Sequence, residues 1–338
     1  MDAYSFWLPV IWVGLLGVAV ALYVVLDGFD LGIGILFPAS PEESYRDQMM
    51  NSVAPFWDGN ETWLVLGGGG LLVAFPLAYS IIMPAVYLPV IIMLLALVFR
   101  GVAFEFRWVA KPHHQLWDIA FAGGSITAAF MQGVILGALL HGIEVRDNAY
   151  AGGTFDWLSF FSLLTGFAVV AGYGLLGATW LVMKTDGAVQ LRAREQAKRL
   201  LPIVLVALAV VSLWTPLAIP RIFERWFTMP NILLLSPIPL LTIYAAWSCW
   251  SGLHSNKHEV KPFVSTIALF LLGFAGLAIS NLPLIVPPSI DVWQAAAHPS
   301  SQLFMLIGTA ILLPIILAYT IFVYYTFRGK VRHGEGYH

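Results

Sequence analysis

The chain has 338 residues, 59% of them hydrophobic and only 11% charged, with a formal net charge of −2 and a mean hydropathy of +0.82. A soluble domain carries roughly 25% charged residues, so this is the composition of an integral membrane protein, and the lack of a basic surface excludes nucleic-acid binding. A single cysteine, Cys249, excludes an internal disulfide, a Cys-ligated zinc and an iron–sulfur centre, and reads as a small buried hydrophobe.

The first residues carry no basic n-region, and the apolar run behind them is too long for a secretory h-region, so a retained first span is expected. A span needs about 20 apolar residues to cross a core of roughly 30 Å. On that criterion nine helices are predicted, at 6–36, 51–75, 79–107, 118–142, 157–184, 199–222, 230–253, 262–285 and 302–327. The connections are short, hold turn signals such as Pro287-Pro288-Ser289, and leave no room for an extramembrane domain. Lys and Arg concentrate in cytoplasmic loops. With the N-terminus outside, the inner side holds Arg46, Arg107, Lys111, Lys184, Arg192, Arg194, Lys198, Arg199, Lys257, Lys261, Arg328, Lys330 and Arg332, against Arg146, Arg221 and Arg225 outside. The C-terminus is then cytoplasmic. A faint echo of Val25 to Leu31 in Val169 to Leu175 points to two four-helix units, 6–142 and 157–285, with 302–327 as a peripheral ninth helix.

Ionisable residues inside such spans are functional candidates, because hydrocarbon offers no water to satisfy them. Asp27 and Asp30 lie three apart on the first helix, Asp58 and Glu61 three apart on the second, and each pair shares a face. Arg100 and Glu105 on the third reach a similar depth. Six groups at one level, all in the inner half, are expected to face one another across an interior, with Arg100 partly balancing the acids. Three readings fit: a structural polar knot, a proton path through desolvated carboxylates, and a carboxylate-bridged di-metal site. The last usually wants Glu-x-x-His motifs, and none is present. His113, His114, His254, His258, His298, His333 and His338 fall in predicted loops or the tail, and His141 at an outer helix end, so no histidine is placed to ligate a membrane-buried haem. Met93, Met131, Met183 and Met305 read as packing. Gly67 to Gly70 lacks the Lys-Ser/Thr of a phosphate loop and reads as a site of close helix approach. Pro84 and Pro89 are expected to kink the third helix. Trp7 and Trp12 read as interfacial anchors. Trp63 lies deeper and is expected to pack against another helix or subunit.

Asp27-Gly-Phe-Asp-Leu-Gly32, Asn51-Ser-Val-Ala-Pro-Phe-Trp-Asp-Gly-Asn60, Phe99-Arg100, Ser300-Ser-Gln-Leu303 and Pro314-Ile-Ile-Leu-Ala-Tyr-Thr320 together resemble subunit II of cytochrome bd-type quinol oxidases. Leu66-Gly-Gly-Gly-Gly70 and the short 223–229 connection look more like the cyanide-insensitive branch. The resemblance implies a non-haem subunit of a heterodimeric oxidase in the bacterial inner membrane. Haems b and d and the quinol-oxidising loop then belong to the partner, subunit I, with room in the complex for a small accessory subunit. It also implies that this chain braces subunit I, helps lead oxygen to it and takes part in proton uptake. The implied proton path comprises Asp58, Asp27, Asp30, Glu61, Arg100 and Glu105, while Trp63 and Trp57 mark the oxygen route or the subunit interface. Some relatives hold a structural quinone in this subunit; no residues here identify such a site. The competing reading is a proton-coupled secondary transporter, whose substrate site belongs near the midplane between inverted repeats; the acids here are displaced inward and the echo is parallel. Asp58 is expected about seven residues into its helix, roughly 10 Å from the inner end, buried yet within reach of cytoplasmic water.

Overall fold

The computed structural model describes residues 3–110, 114–255 and 257–332; Lys111, His113, His333 and His338, assigned above to loops and tail, lie outside them. Among the described residues, eight helices are long and apolar enough to cross a bilayer, and the chain is an all-α, multi-spanning membrane protein. Five expected helices appear within a few residues of their bounds: α1 (Ala3–Leu36), α6 (His114–His141), α7 (Phe160–Lys184), α12 (Val260–Asn281) and α14 (Pro299–Thr326).

The other expected helices are interrupted, and proline lies at each break. The stretch expected as 51–75 is a short α2 (Glu43–Asn51), a run of turns containing Pro55, and α3 (Trp57–Ala74), whose polar opening residues Asp58 to Thr62 keep it out of the eight. Pro76 disfavours helical geometry at the residue before it; Phe75 stands at φ −137° and ψ 63°, and Pro76 opens α4 (Pro76–Ala85). Pro89 has no N–H for the Ala85 carbonyl, and a new helix, α5 (Tyr87–Val109), starts beyond Val86. α8 (Gly187–Ala218) begins well before 199, because its charged first turns bury Val189, Ala193 and Ala197 on one face, which mean hydropathy cannot register. Pro220 opens α9 (Pro220–Phe227), and Pro237 separates α10 (Asn231–Leu235) from α11 (Pro237–Leu253). Two hairpins in the connections were not anticipated: β1 (Val145–Arg146) with β2 (Ala149–Tyr150), and β3 (Leu284–Val286) with β4 (Ile290–Asp291), the latter followed by α13 (Val292–Ala295).

α1 runs through the centre, against α3, α6 and α7. It can approach α7 closely because Gly32 and Gly177 face each other: a Cβ on Gly32 would lie 2.0 Å from the Tyr173 carbonyl oxygen, and one on Gly177 would lie 2.4 Å from Gly32 C. In a membrane, where lipid is as apolar as Leu, such small-residue crossings replace the hydrophobic effect as a source of association. Of the four consecutive glycines, Gly70 meets the Leu16 side chain, whereas Gly68 and Gly69 have nothing within 4 Å of a built Cβ. Cys249 is buried, 3.6 Å from the Thr266 hydroxyl.

Polar contacts fasten both ends. At the basic end Lys184 donates to the carbonyls of Phe327 and Gly329, Gln48 to Val331, and Arg194 to the carbonyls of Gly252, Leu253 and Ser255 that close α11. At the other end the Ile143 N–H meets the Pro287 carbonyl, and Gln302 of α14 donates to Ala74 at 2.9 Å. Gln302 is the buried residue of α14, which otherwise lies on the outside of the bundle.

Candidate functional site

Three fully buried ionisable side chains meet at the heart of the bundle. Asp27 and Asp30 project from the same side of α1, and Arg100 reaches them from α5, its Nη1 2.7 Å from Asp27 Oδ1 with both side chains 0% exposed. α5 can bring a guanidinium so near because Gly124 of α6 has no side chain: a Cβ there would sit 2.6 Å from the Ala96 carbonyl and 3.1 Å from Arg100 N. A bare charge in this surrounding would be prohibitive, so the acids and the cation stabilise each other's presence. The balance is incomplete. Asp27 Oδ2, Asp30 Oδ1, and Arg100 Nε and Nη2 are buried without a hydrogen-bond partner.

Two threads of neutral polar groups lead away from the charges. In one, Tyr173 of α7 donates to Gln132 Oε1 at 2.7 Å, and Gln132 Nε2 donates to the Tyr23 hydroxyl at 2.7 Å. Tyr23 stands one turn before Asp27, beside it. In the other, Asn60 of α3 donates through Nδ2 to Asp30 Oδ2 at 2.7 Å and accepts from the Tyr324 hydroxyl of α14 at 2.9 Å. None of these five was assigned to the site from sequence, Asn60 entering only as the last residue of the 51–60 motif. Gln132 and Asn60 carried a signal as amides inside apolar spans, whereas a tyrosine in a span is indistinguishable there from packing.

Glu61 comes to the same cluster. It is half-buried, close enough to Arg100, Asp27 and Asp58 for their charges to act on it. Asp58 does not join the buried group: it is exposed in the first turn of α3, not seven residues inside a helix, because the turns around Pro55 delay the helix start to Trp57. With Thr62, Val65, Gly69 and Leu72 it forms an exposed stripe along α3. Glu105 also stands outside the buried group. It lies on the exposed face of α5, while its neighbours Ala103, Phe104 and Arg107 turn inward.

The tryptophans divide as well. Trp63 is 2% exposed within this chain, packed with Ala19 and Tyr23 and flanked by Leu313, Ile316 and Leu317 of α14. It is therefore covered by the chain's own helix and is no free interface residue. Trp57 is half-buried, stacked on Phe104 at 4.8 Å with the planes 4° apart, and the Arg100 guanidinium carbon lies 5.9 Å from its ring.

A second charged group lies at the basic end. Arg107 pairs with Asp47 and Asp118 at 2.5 Å each, and Arg46 with Asp118 at 3.3 Å, tying α2 to the junction of α5 and α6. From sequence Arg46 and Arg107 were topology markers and nothing more, and Asp47 and Asp118 had no reading at all. Of the described histidines, His141, His254, His258 and His298 are exposed, and His114 opens α6. Among the described residues no three His, Cys, Asp or Glu side chains are grouped so as to hold a metal ion.

The sequence profile of the family described as cytochrome bd terminal oxidase subunit II matches residues 8–327. The chain is 31% identical over 371 aligned positions to the cytochrome bd-I ubiquinol oxidase subunit 2 of Escherichia coli K12, covering 95% of this chain and 94% of that one. It is 30% identical to the cytochrome bd ubiquinol oxidase subunit 2 of Bacillus subtilis 168, covering 96% and 97%. Its fold is similar to a chain of the bd oxidase from Geobacillus thermodenitrificans, with a TM-score of 0.74 at 15% identity over 96% of this chain and 99% of that one.

Proposed function

The chain belongs to the cytochrome bd terminal oxidase subunit II family, and from that membership we propose that its own contribution is to conduct protons, and to admit oxygen, to chemistry carried out on subunit I. It is a multi-pass protein of the bacterial inner membrane, a subunit of a quinol:oxygen oxidoreductase complex in which it supports reduction of oxygen by subunit I. Reduction to water consumes protons as well as electrons, so the complex needs a polar way through a low-dielectric interior.

The observation that carries the proton reading is a gradient of burial along linked carboxylates. Asp58 is exposed, Glu61 half-buried, and Asp27 and Asp30 fully buried beside Arg100. Asp58 and Glu61 are one turn apart on α3, and Glu61 interacts with both Asp58 and Asp27. The arginine offsets part of the negative charge, so a proton can reside among the acids without either an unpaired charge or a fixed neutral pair. Glu105, on the outer face of α5, is left out of this path.

Asp58 and Glu105 also support the seat of subunit I. Both share their exposed faces with Val65, Leu72, Val98 and Phe99, and carboxylates within spans avoid lipid. These faces of α3 and α5 are therefore the contact with subunit I. Near them an apolar cleft lined by Trp12, Leu16, Ala19, Trp63, Leu66 and Leu313 is an oxygen route consistent with the buried indole of Trp63. In this reading haems b and d reside on subunit I, and the basic end faces the cytoplasm with the N-terminus outside. α3 makes a ninth crossing, and 6–142 and 157–285 form two units that meet where α1 and α6 pack on α7, with α14 peripheral.

Asp58→Asn keeps the shape and removes the proton-binding group. The path reading expects normal assembly and haem content in the complex with slowed oxygen consumption. Full turnover in a normally assembled variant, across the working pH range, would remove Asp58 from the path.

A further inference from the structure

α14 lies on the outside of the bundle, touching it through one apolar side, and Gln302 near its start is its buried residue. Yet near its other end the helix sends Tyr324 inward to a fully buried polar group. The Tyr324 hydroxyl donates to Asn60 Oδ1 at 2.9 Å, Asn60 Nδ2 donates to Asp30 Oδ2 at 2.7 Å, and the same nitrogen reaches the Leu26 carbonyl at 3.4 Å. The Tyr324 ring is stacked on Phe56, centroids 4.4 Å apart and planes at 22°, with Trp180 edge-on at 6.4 Å. Three residues later the chain is held by Lys184, which donates to the Phe327 and Gly329 carbonyls, and Val331 N–H returns a bond to the Lys184 carbonyl at 2.8 Å.

We propose that Asn60 and Tyr324 are positioning residues for Asp30, through which the seating of the peripheral helix α14 sets the orientation of a buried acid. An amide has two orientations related by a half-turn, and only one presents oxygen to the tyrosine hydroxyl and nitrogen to the carboxylate. The Leu26 carbonyl, which can only accept, keeps the amide nitrogen on the Asp30 side; Tyr324 then holds the outward-facing Asn60 Oδ1 in place, and Asn60 fixes Asp30 Oδ2, leaving Asp30 Oδ1 as the oxygen without a partner. Asp27 is held differently, by the Arg100 guanidinium. The two acids of one helix are therefore oriented by separate devices, one ionic and internal to the bundle, the other neutral and anchored on its outermost helix.

The inference rests on the proton-path reading of Asp30, and the test separates the two. Tyr324→Phe deletes the hydroxyl and keeps the ring on Phe56; Asn60→Leu deletes the amide; Asp30→Asn deletes the acid. Each is made in the whole complex and followed by haem content, thermal midpoint, and oxygen consumption as a function of pH. The other titratable or charged groups facing this place are unchanged in Tyr324→Phe: Tyr23 and Asp27 on α1, Glu61 on α3, Arg100 on α5, and Tyr173 and Lys184 on α7, the last with its ammonium over the Phe56 and Trp180 rings. The expected result for Tyr324→Phe is normal haem content and midpoint, turnover lowered roughly fivefold, the weight of one neutral hydrogen bond, and a displaced pH profile, with Asn60→Leu more severe in the same sense. A slow Asp30→Asn beside a Tyr324→Phe with wild-type rate and profile overturns the positioning role alone. An Asp30→Asn of full rate overturns the proton reading and this inference with it. Loss of assembly in proportion to turnover in Tyr324→Phe reduces the contact to a structural one and overturns the proposal.

Discussion

Replacing Arg100 by methionine removes the cation that Asp27, Asp30 and Glu61 share. At 2.7 Å, with both side chains of the direct pair fully buried, the Coulomb attraction is about 6 kcal/mol at an effective dielectric constant of 20, and desolvation of the two ions offsets much of it. What decides the outcome is the state left behind: two buried carboxylates without a counter-charge. Breaking a buried pair from one side is worth about 3–5 kcal/mol. Asp27→Asn leaves a different residue of the problem, because an asparagine carbonyl still accepts from Arg100, and the guanidinium keeps Asp30 and Glu61 near. Its expected loss is smaller, about 1–2 kcal/mol, the difference between a charge-assisted and a neutral hydrogen bond. The comparison is read from the amount of assembled complex in membranes and the midpoint of its thermal dissociation in detergent. Arg100→Met matching wild type, or Asp27→Asn proving the more damaging of the two, would refute the account of Arg100 as the shared counter-charge.

Gly32→Ala is expected to prevent assembly, since the added methyl would meet the Tyr173 carbonyl at 2.0 Å and force α1 from α7, whereas Gly68→Ala meets nothing within the chain and leaves its fold intact; expression of folded protein in detergent distinguishes them. Trp63→Ala opens a large hole beside Ala19 and Tyr23 and is expected to destabilise by about 3–5 kcal/mol, while Trp63→Phe costs far less; if the cleft is the oxygen route, the alanine variant also changes the apparent oxygen affinity in respirometry. Hydrogen bonds from Lys330 and Gln190 hold the Glu259 carboxyl below the usual range, and its pairing with Lys330 pins the C-terminal tail. A depressed folded value means that this contribution is present above the unfolded value and is lost as pH falls through the folded one. Hydrogen exchange at the Val331 amide, corrected for the intrinsic rate, should therefore lose protection in that acidic window, and Glu259→Gln should make the protection independent of pH there.

The class of the protein was fixed by composition, because 11% charge cannot clothe a chain of 338 residues in water. The family was legible in Asp27 to Gly32, Asn51 to Asn60 and the helix-9 motifs, and the comparisons bear it out. Pattern also brought Asp27, Asp30 and Arg100 together, since charges in neighbouring spans must find one another. It failed where three-dimensional placement depended on where a helix starts or which way it faces. The turns at Pro55 moved Asp58 from an expected interior to an exposed first turn, and helical rotation turned Glu105 outward while Arg107 went in. Tyr324 is separated from Asn60 by 264 positions and from Asp30 by more still, and its hydroxyl has no sequence signature among apolar neighbours. Periodicity and polarity are local quantities, so they determine which segments enter the membrane and which residues are costly there. The partner of each costly group is chosen by the crossing of α1, α3, α5 and α14, and that crossing exists only in the packed bundle.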